Sequence, residues 1–189
     1  MPDKIIHSML ESLGSTGVQH HGEIIVIGLG RFGSALADSL VGLGYEVLGV
    51  DFVNDPRVIA RMDRFASVNA TTEVDLMGQC ASETVAGRYW SSSGGQADFA
   101  RGAMYAAEGK AFIVTRSTTR DGKTRIVPTL TPGSVVTTLK NTVDHVVTEH
   151  GVAELRGRSL RERALALIAI ADPAARDELT AAARSAELI

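Results

Sequence analysis

Cysteine is all but missing: Cys80 is the single one in 189 residues. One thiol cannot close an internal disulfide, so the fold must hold without covalent staples, as suits a reducing cytoplasm. Free cysteine is among the most buried residue types, and no histidine or cationic turn adjoins Cys80 to lower its pKa. A core role is therefore expected, not a nucleophile. Long apolar runs are also missing. No stretch approaches the roughly 20 residues of a spanning helix, and residues 1–20 lack the basic start and apolar segment of a secretory signal, so a cytoplasmic, membrane-free protein is expected. Positive charge is not in excess: 19 Lys and Arg stand against 22 Asp and Glu, a net charge of -3. That excludes a broad basic face for nucleic acid and leaves a small anionic ligand held at a local site.

What is present reads as one globular unit over residues 1–189, with 44% hydrophobic and 22% charged residues and no repeat or low-complexity linker. After an amphipathic opening, the pattern predicts a strand at 24–28, a helix from Phe32 to Leu43 and a strand at 46–50. "NDPRVIARMDRF" predicts a short helix capped by Asp55 with Pro56 in its first turn. Short strands are expected in "FASVNA", "EVDLMG" and "TVAGRYW", followed by a small polar loop, "SSSGGQ". "ADFARGAMYAAEG" has helical spacing ending at Gly109. "AFIVTR" is a continuous apolar strand of the doubly buried kind, which points to a parallel sheet. "IVPTL", "SVVTTL" and "HVVTEHG" predict further strands. Ser159 and Glu162 form a capping box for "RERALALIAI", and Asp172 with Pro173 opens a last helix.

Within "IIVIGLGRFGSALADSLVGLGYEVLGVD", Gly28, Gly30 and Gly33 have G-x-G-x-x-G spacing between strand and helix, and Asp51 ends the next strand where a ribose-binding acid belongs. Residues 24–51 resemble the nucleotide-binding domain of bacterial potassium-uptake regulators, which implies NAD or a related adenine nucleotide at these four residues. Against this, glycines at such a turn also serve tight packing, and the sequence beyond residue 52 lacks the regular second β-α-β half of a dinucleotide fold. Nucleotide binding is kept as the alternative.

A longer likeness covers about Val50 to Leu179. "VDFVNDPRVIARMDRFASVNATTEVDLMGQC", "GGQADFARGA" and "VVTEHGVAELRGRSLRERALALIAIADPAARDEL" resemble, in order, the C-terminal half of the acetyl-CoA hydrolase and CoA-transferase family, which contains 4-hydroxybutyrate CoA-transferase. The resemblance implies an α/β fold: a three-layer-like, mixed and mostly parallel sheet with a Rossmann-like βαβ unit near the N-terminus. "HHGE" at 20–23 is similar to the family's turn before that unit, with Glu23 in place of a basic residue.

The same resemblance implies acyl-CoA chemistry in which a glutamate carboxylate attacks the thioester and CoA passes to and from it, with a small carboxylate as acceptor. Its oxyanion loop falls on Gly94, Gly95 and Gln96, where glycines let backbone N–H groups approach a developing negative charge. Ser93 departs from the smaller or apolar residue expected there. Asn54 in "VNDP" is implied near the acyl or pantetheine part of CoA, with an Asx-type bond at a helix entry as the plain alternative. Lys123 is implied near a CoA phosphate, against an ordinary exposed turn lysine. The reactive glutamate falls immediately before Met1, and neither Glu11 nor Glu23 sits in its motif. An N-terminal half or a second copy of the chain is therefore the expected partner. Glu73 and Asp75 share a strand face, but a hydrogen-bonding role is preferred to an acid/base pair. His145, Glu149 and His150 invite a metal, yet the two imidazoles would lie on opposite faces of a strand, so no metal is expected and "TEHGVAELRG" is read as a supporting turn and edge.

Overall fold

The computed structural model describes residues 23–26, 41, 46–49 and 54–189. Strands β1 (Glu23–Val26) and β2 (Glu46–Gly49) pair in parallel, with Glu23 opposite Glu46. This is the strand arrangement expected of a βαβ unit. Gly28, Gly30, Gly33 and Asp51 lie outside the described residues.

The central sheet has the order β11-β10-β8-β3, formed by β3 (Ala66–Ala70), β8 (Lys110–Val114), β10 (His145–Thr148) and β11 (Gly151–Glu154). β3, β8 and β10 run parallel, and β11 adds an antiparallel edge through a tight turn at Glu149 and His150. "TEHGVAELRG" is thus a turn and edge, as its sequence predicts. In β8 both faces are buried: Ala111 and Ile113 point one way, Phe112 and Val114 the other. A strand that meets no water on either side has no reason to alternate polar residues, hence the unbroken apolar run. Each such large side chain contributes on the order of 1.5–3 kcal/mol by burial.

Helix α1 (Pro56–Ile59) is capped by the Asp55 carboxylate, which accepts from Arg57 N, and is only one turn long. Helix α2 (Gln96–Tyr105) connects β3 to β8 and packs on both. Helix α3 (Leu160–Ile170) covers β10 and β11 with Ala164, Leu167 and Ile168, a helical stripe, and α4 (Arg176–Ser185) leans on it through Leu179 and Ala183. The capping box of Ser159 and Glu162 is formed in full, and Asp172 accepts from Ala174 N.

Between β3 and α2 lie β4 (Glu73–Asp75), β5 (Cys80–Ala81), β6 (Thr84–Val85) and β7 (Arg88–Tyr89). β4 sits between β5 and β9 (Ile126–Val127). "TVAGRYW" is therefore a hairpin, not one strand; Ala86 and Gly87 both take positive φ, the backbone of a two-residue reversal. "SVVTTL" also departs from expectation. It makes no strand, only an isolated bridge between Thr138 and Cys80: Thr137 N and Thr138 N both converge on Cys80 O, so the ladder stops at one pair.

Candidate functional site

Residues 106–109 return α2 to the amino-terminal start of β8, where Lys110 N donates to Phe65 O. A ten-residue helix spans about 15 Å and a five-residue strand about 17 Å, so the start of α2 lies at the carboxyl ends of the parallel strands. Ligands in open α/β sheets bind at that edge. Gly94 and Gly95 stand there, immediately before the helix.

Gly94 has φ +55, and a Cβ built on it would meet nothing within 4 Å. Its backbone therefore faces open space. Gly95 is the opposite case: a Cβ would come within 2.6 Å of Asn54 Nδ2 and 2.8 Å of the Phe99 ring. Asn54 and the glycine loop, 40 residues apart in sequence, are thus in contact. What brings them together lies about two helical turns farther along α2. A Cβ on Gly102 would come within 2.5 Å of Ile59, so glycine lets α1 lie directly on α2 and carry Asn54 to the loop. Sequence reasoning missed Gly102; its signal was a glycine inside a helical pattern, which often marks a close approach.

Gln96 is buried, and its amide donates to Thr138 Oγ1 at 3.0 Å, which ties the side chain to the 137–138 segment, while its backbone N–H stands at the first position of α2. Ser93 is exposed. Lys123 lies in the turn that follows β8, with its Nζ 3.5 Å from Asp121 Oδ2 and an 81% exposed side chain. Its ion-pair partner is in its own turn, which rises from the same sheet edge as the loop. Glu149, weighed in the sequence only as part of a rejected metal set, also stands at that edge, its carboxylate accepting from Ser117 N and Ser117 Oγ at 2.9 Å each. Burial pushes its carboxyl up, but those bonds outweigh it and hold Glu149 below the usual carboxylate range.

Glu73 and Asp75 serve structure, as preferred from sequence. Glu73 accepts from Thr131 N and Oγ1; Asp75 accepts from Met77 N, Gln79 N and Gln79 Nε2. Cys80 is wholly buried, and burial, with the charge of Asp75, pushes its thiol far up. His145 begins β10 against Phe112, whereas His150 lies in the following turn, so the separation expected of these imidazoles arises from a chain reversal rather than strand alternation. Among the described residues no three His, Cys, Asp or Glu side chains gather as metal ligands, and no helix is long and apolar enough to cross a membrane.

Comparison with known proteins agrees with this architecture. The acetyl-CoA hydrolase/transferase C-terminal domain matches residues 44–183. Succinyl-CoA:cyclohexane-1-carboxylate CoA transferase of Geobacter metallireducens is 56% identical over 140 residues, 74% of this chain and 32% of that protein. RipA of Yersinia pestis superposes with a TM-score of 0.83 at 30% identity, over 100% of this chain and 53% of its own. The 4-hydroxybutyrate CoA-transferase of Porphyromonas gingivalis gives a TM-score of 0.70 at 28% identity, over 97% and 55%. The chain thus spans about a third of the length of the curated relative and about half of the solved ones. The nucleotide-binding alternative finds no support in these comparisons. With the glycine loop at the carboxyl edge, Asn54 seated on it and the match running through both, the chain belongs to the acetyl-CoA hydrolase/transferase family and carries its C-terminal domain.

Proposed function

We propose that residues 1–189 act as one unit, the C-terminal half of an acyl-CoA:carboxylate CoA-transferase or acetyl-CoA hydrolase, and that its task is to hold the thioester. The observation that carries this is the Gly94–Gly95 turn, open on its outer side at Gly94 and closed against Asn54 at Gly95. A thioester oxygen placed on that turn meets the N–H groups of Gly95 and Gln96 at the start of α2, where the helix dipole adds to the stabilisation of negative charge. Asn54 borders the acyl or pantetheine arm, and Lys123 reaches a CoA phosphate from its exposed turn. The substrates are then an acyl-CoA and a small carboxylate.

The attacking carboxylate is supplied by the N-terminal part of the family fold, since a second copy of this chain would bring no glutamate in the family motif. Among the described residues, Glu73, Asp75 and Glu149 are each committed to hydrogen bonds. In the first step a glutamate oxygen bonds to the acyl carbon, the C–S bond breaks and CoA leaves as thiolate, giving an anhydride. The thiolate then attacks the glutamyl carbonyl, releasing the acyl group as a free carboxylate. A new carboxylate reverses the sequence, or water hydrolyses the glutamyl thioester. Titration calorimetry with acetyl-CoA, butyryl-CoA and NAD tests the assignment. Gly95→Ala should weaken acyl-CoA binding about tenfold or more while Gly30→Ala leaves it unchanged. Supplying an N-terminal family half should switch on transfer. NAD binding that depends on Gly30, with acyl-CoA binding insensitive to Gly95, would reject the assignment.

A further inference from the structure

The loop before α2 has little to fix its shape locally. Gly95 occupies the N-cap position without any side-chain cap, and glycine carries the widest backbone freedom of any residue. Yet backbone donors stabilise a developing charge only when they are already in place. Both ends of the loop are held from one distant place, the residue pair Thr137–Thr138. At the far end, Thr138 Oγ1 accepts from Gln96 Nε2 at 3.0 Å. At the near end, Thr137 Oγ1 donates to Glu83 Oε1 at 3.1 Å, and Glu83 O accepts from Trp90 N at 2.7 Å and Ser91 N at 3.2 Å. The pair is itself anchored: Thr137 N and Thr138 N donate to Cys80 O, Cys80 N donates to Thr138 O, and Thr138 is wholly buried.

We propose that Thr138 is a positioning residue for acyl transfer, setting through Gln96 the direction of the loop N–H groups toward the thioester oxygen. This rests on reading residues 94–96 as the oxyanion loop. The test compares the chain with its Thr138→Val and Thr138→Ser variants. Three quantities are measured: the infrared band of the carbonyl of bound carbon-13-labelled acetyl-CoA, the ratio of acetyl-CoA to CoA affinity, and Tm. In the unaltered chain the band lies below its position in free acetyl-CoA. Thr138→Val should move it back toward the free value and cut the affinity ratio about tenfold, whereas Thr138→Ser, which keeps the hydroxyl, restores both. Gln96→Met removes the same bond from the other side. It should reproduce Thr138→Val, add nothing when combined with it, and carry the test if Thr138→Val does not fold. A lowered Tm with band and ratio unchanged would overturn the proposal by making Thr138 merely structural. An unaltered chain that binds acetyl-CoA without any band shift, or not at all, would instead remove the oxyanion reading, and this inference with it.

Discussion

At the scale of single residues, burial decides what a reactive-looking group does. Cys80 could have served as a nucleophile by composition alone, but it is wholly enclosed and held as the thiol. Thiol reagents should leave it untouched in the folded chain and modify it stoichiometrically only in denaturant; rapid labelling of the native protein would contradict the packing seen here. Gln96 makes a similar point. The sequence resemblance placed it in the loop, and it is there, but the tertiary contact with Thr138 turns its side chain inward. Residue identity drew attention to the segment. It could not tell where the Gln96 side chain turns, since that depends on a partner 42 residues away.

At the scale of elements, local chemistry was readable wherever it acts over a few residues. The box of Ser159 and Glu162 is the clearest example: Ser159 N and Oγ donate to the Glu162 carboxylate and Glu162 N donates back to Ser159 Oγ. Ser159→Ala should cost about 1 kcal/mol and lower Tm by a few degrees, measured by thermal unfolding, without altering acyl-CoA binding. The α3 stripe and the apolar β8 run were likewise legible from periodicity. "SVVTTL" was not. Its β-branched residues read as a strand, but Thr137 and Thr138 are used as side-chain anchors, and β-propensity reports only fitness for a pleated surface.

At the scale of the whole molecule, one buried carboxylate ties the amino-terminal edge of the sheet together. Asp144 precedes β10, accepts from Ala111 N at the start of β8 at 3.0 Å and from Arg156 beyond β11 at 2.8 Å, and has His145 Nδ1 at 3.0 Å, out of line for a well-formed bond. Burial pushes its carboxyl up, but these partners prevail and hold it below its ordinary value of 3.8. A depressed folded-state value means that its stabilisation is complete at neutral pH and disappears as pH falls below about 4 through the folded value. Asp144→Asn should therefore be less stable than the parent at pH 7 and show a flatter acid limb below pH 4 in denaturant titrations. Equal acid limbs would exclude Asp144 as the clip. By itself the sequence determined the α/β class, the capped helices, the buried parallel strand and the family, because each is written in short-range pattern or in contiguous motif. Only the tertiary structure decided that Asn54 rests on Gly95, that Gly102 admits α1 to α2, and that two threonines hold both ends of the loop. Those contacts join segments far apart in the chain, and their geometry exists only once the core has brought the segments within bonding distance.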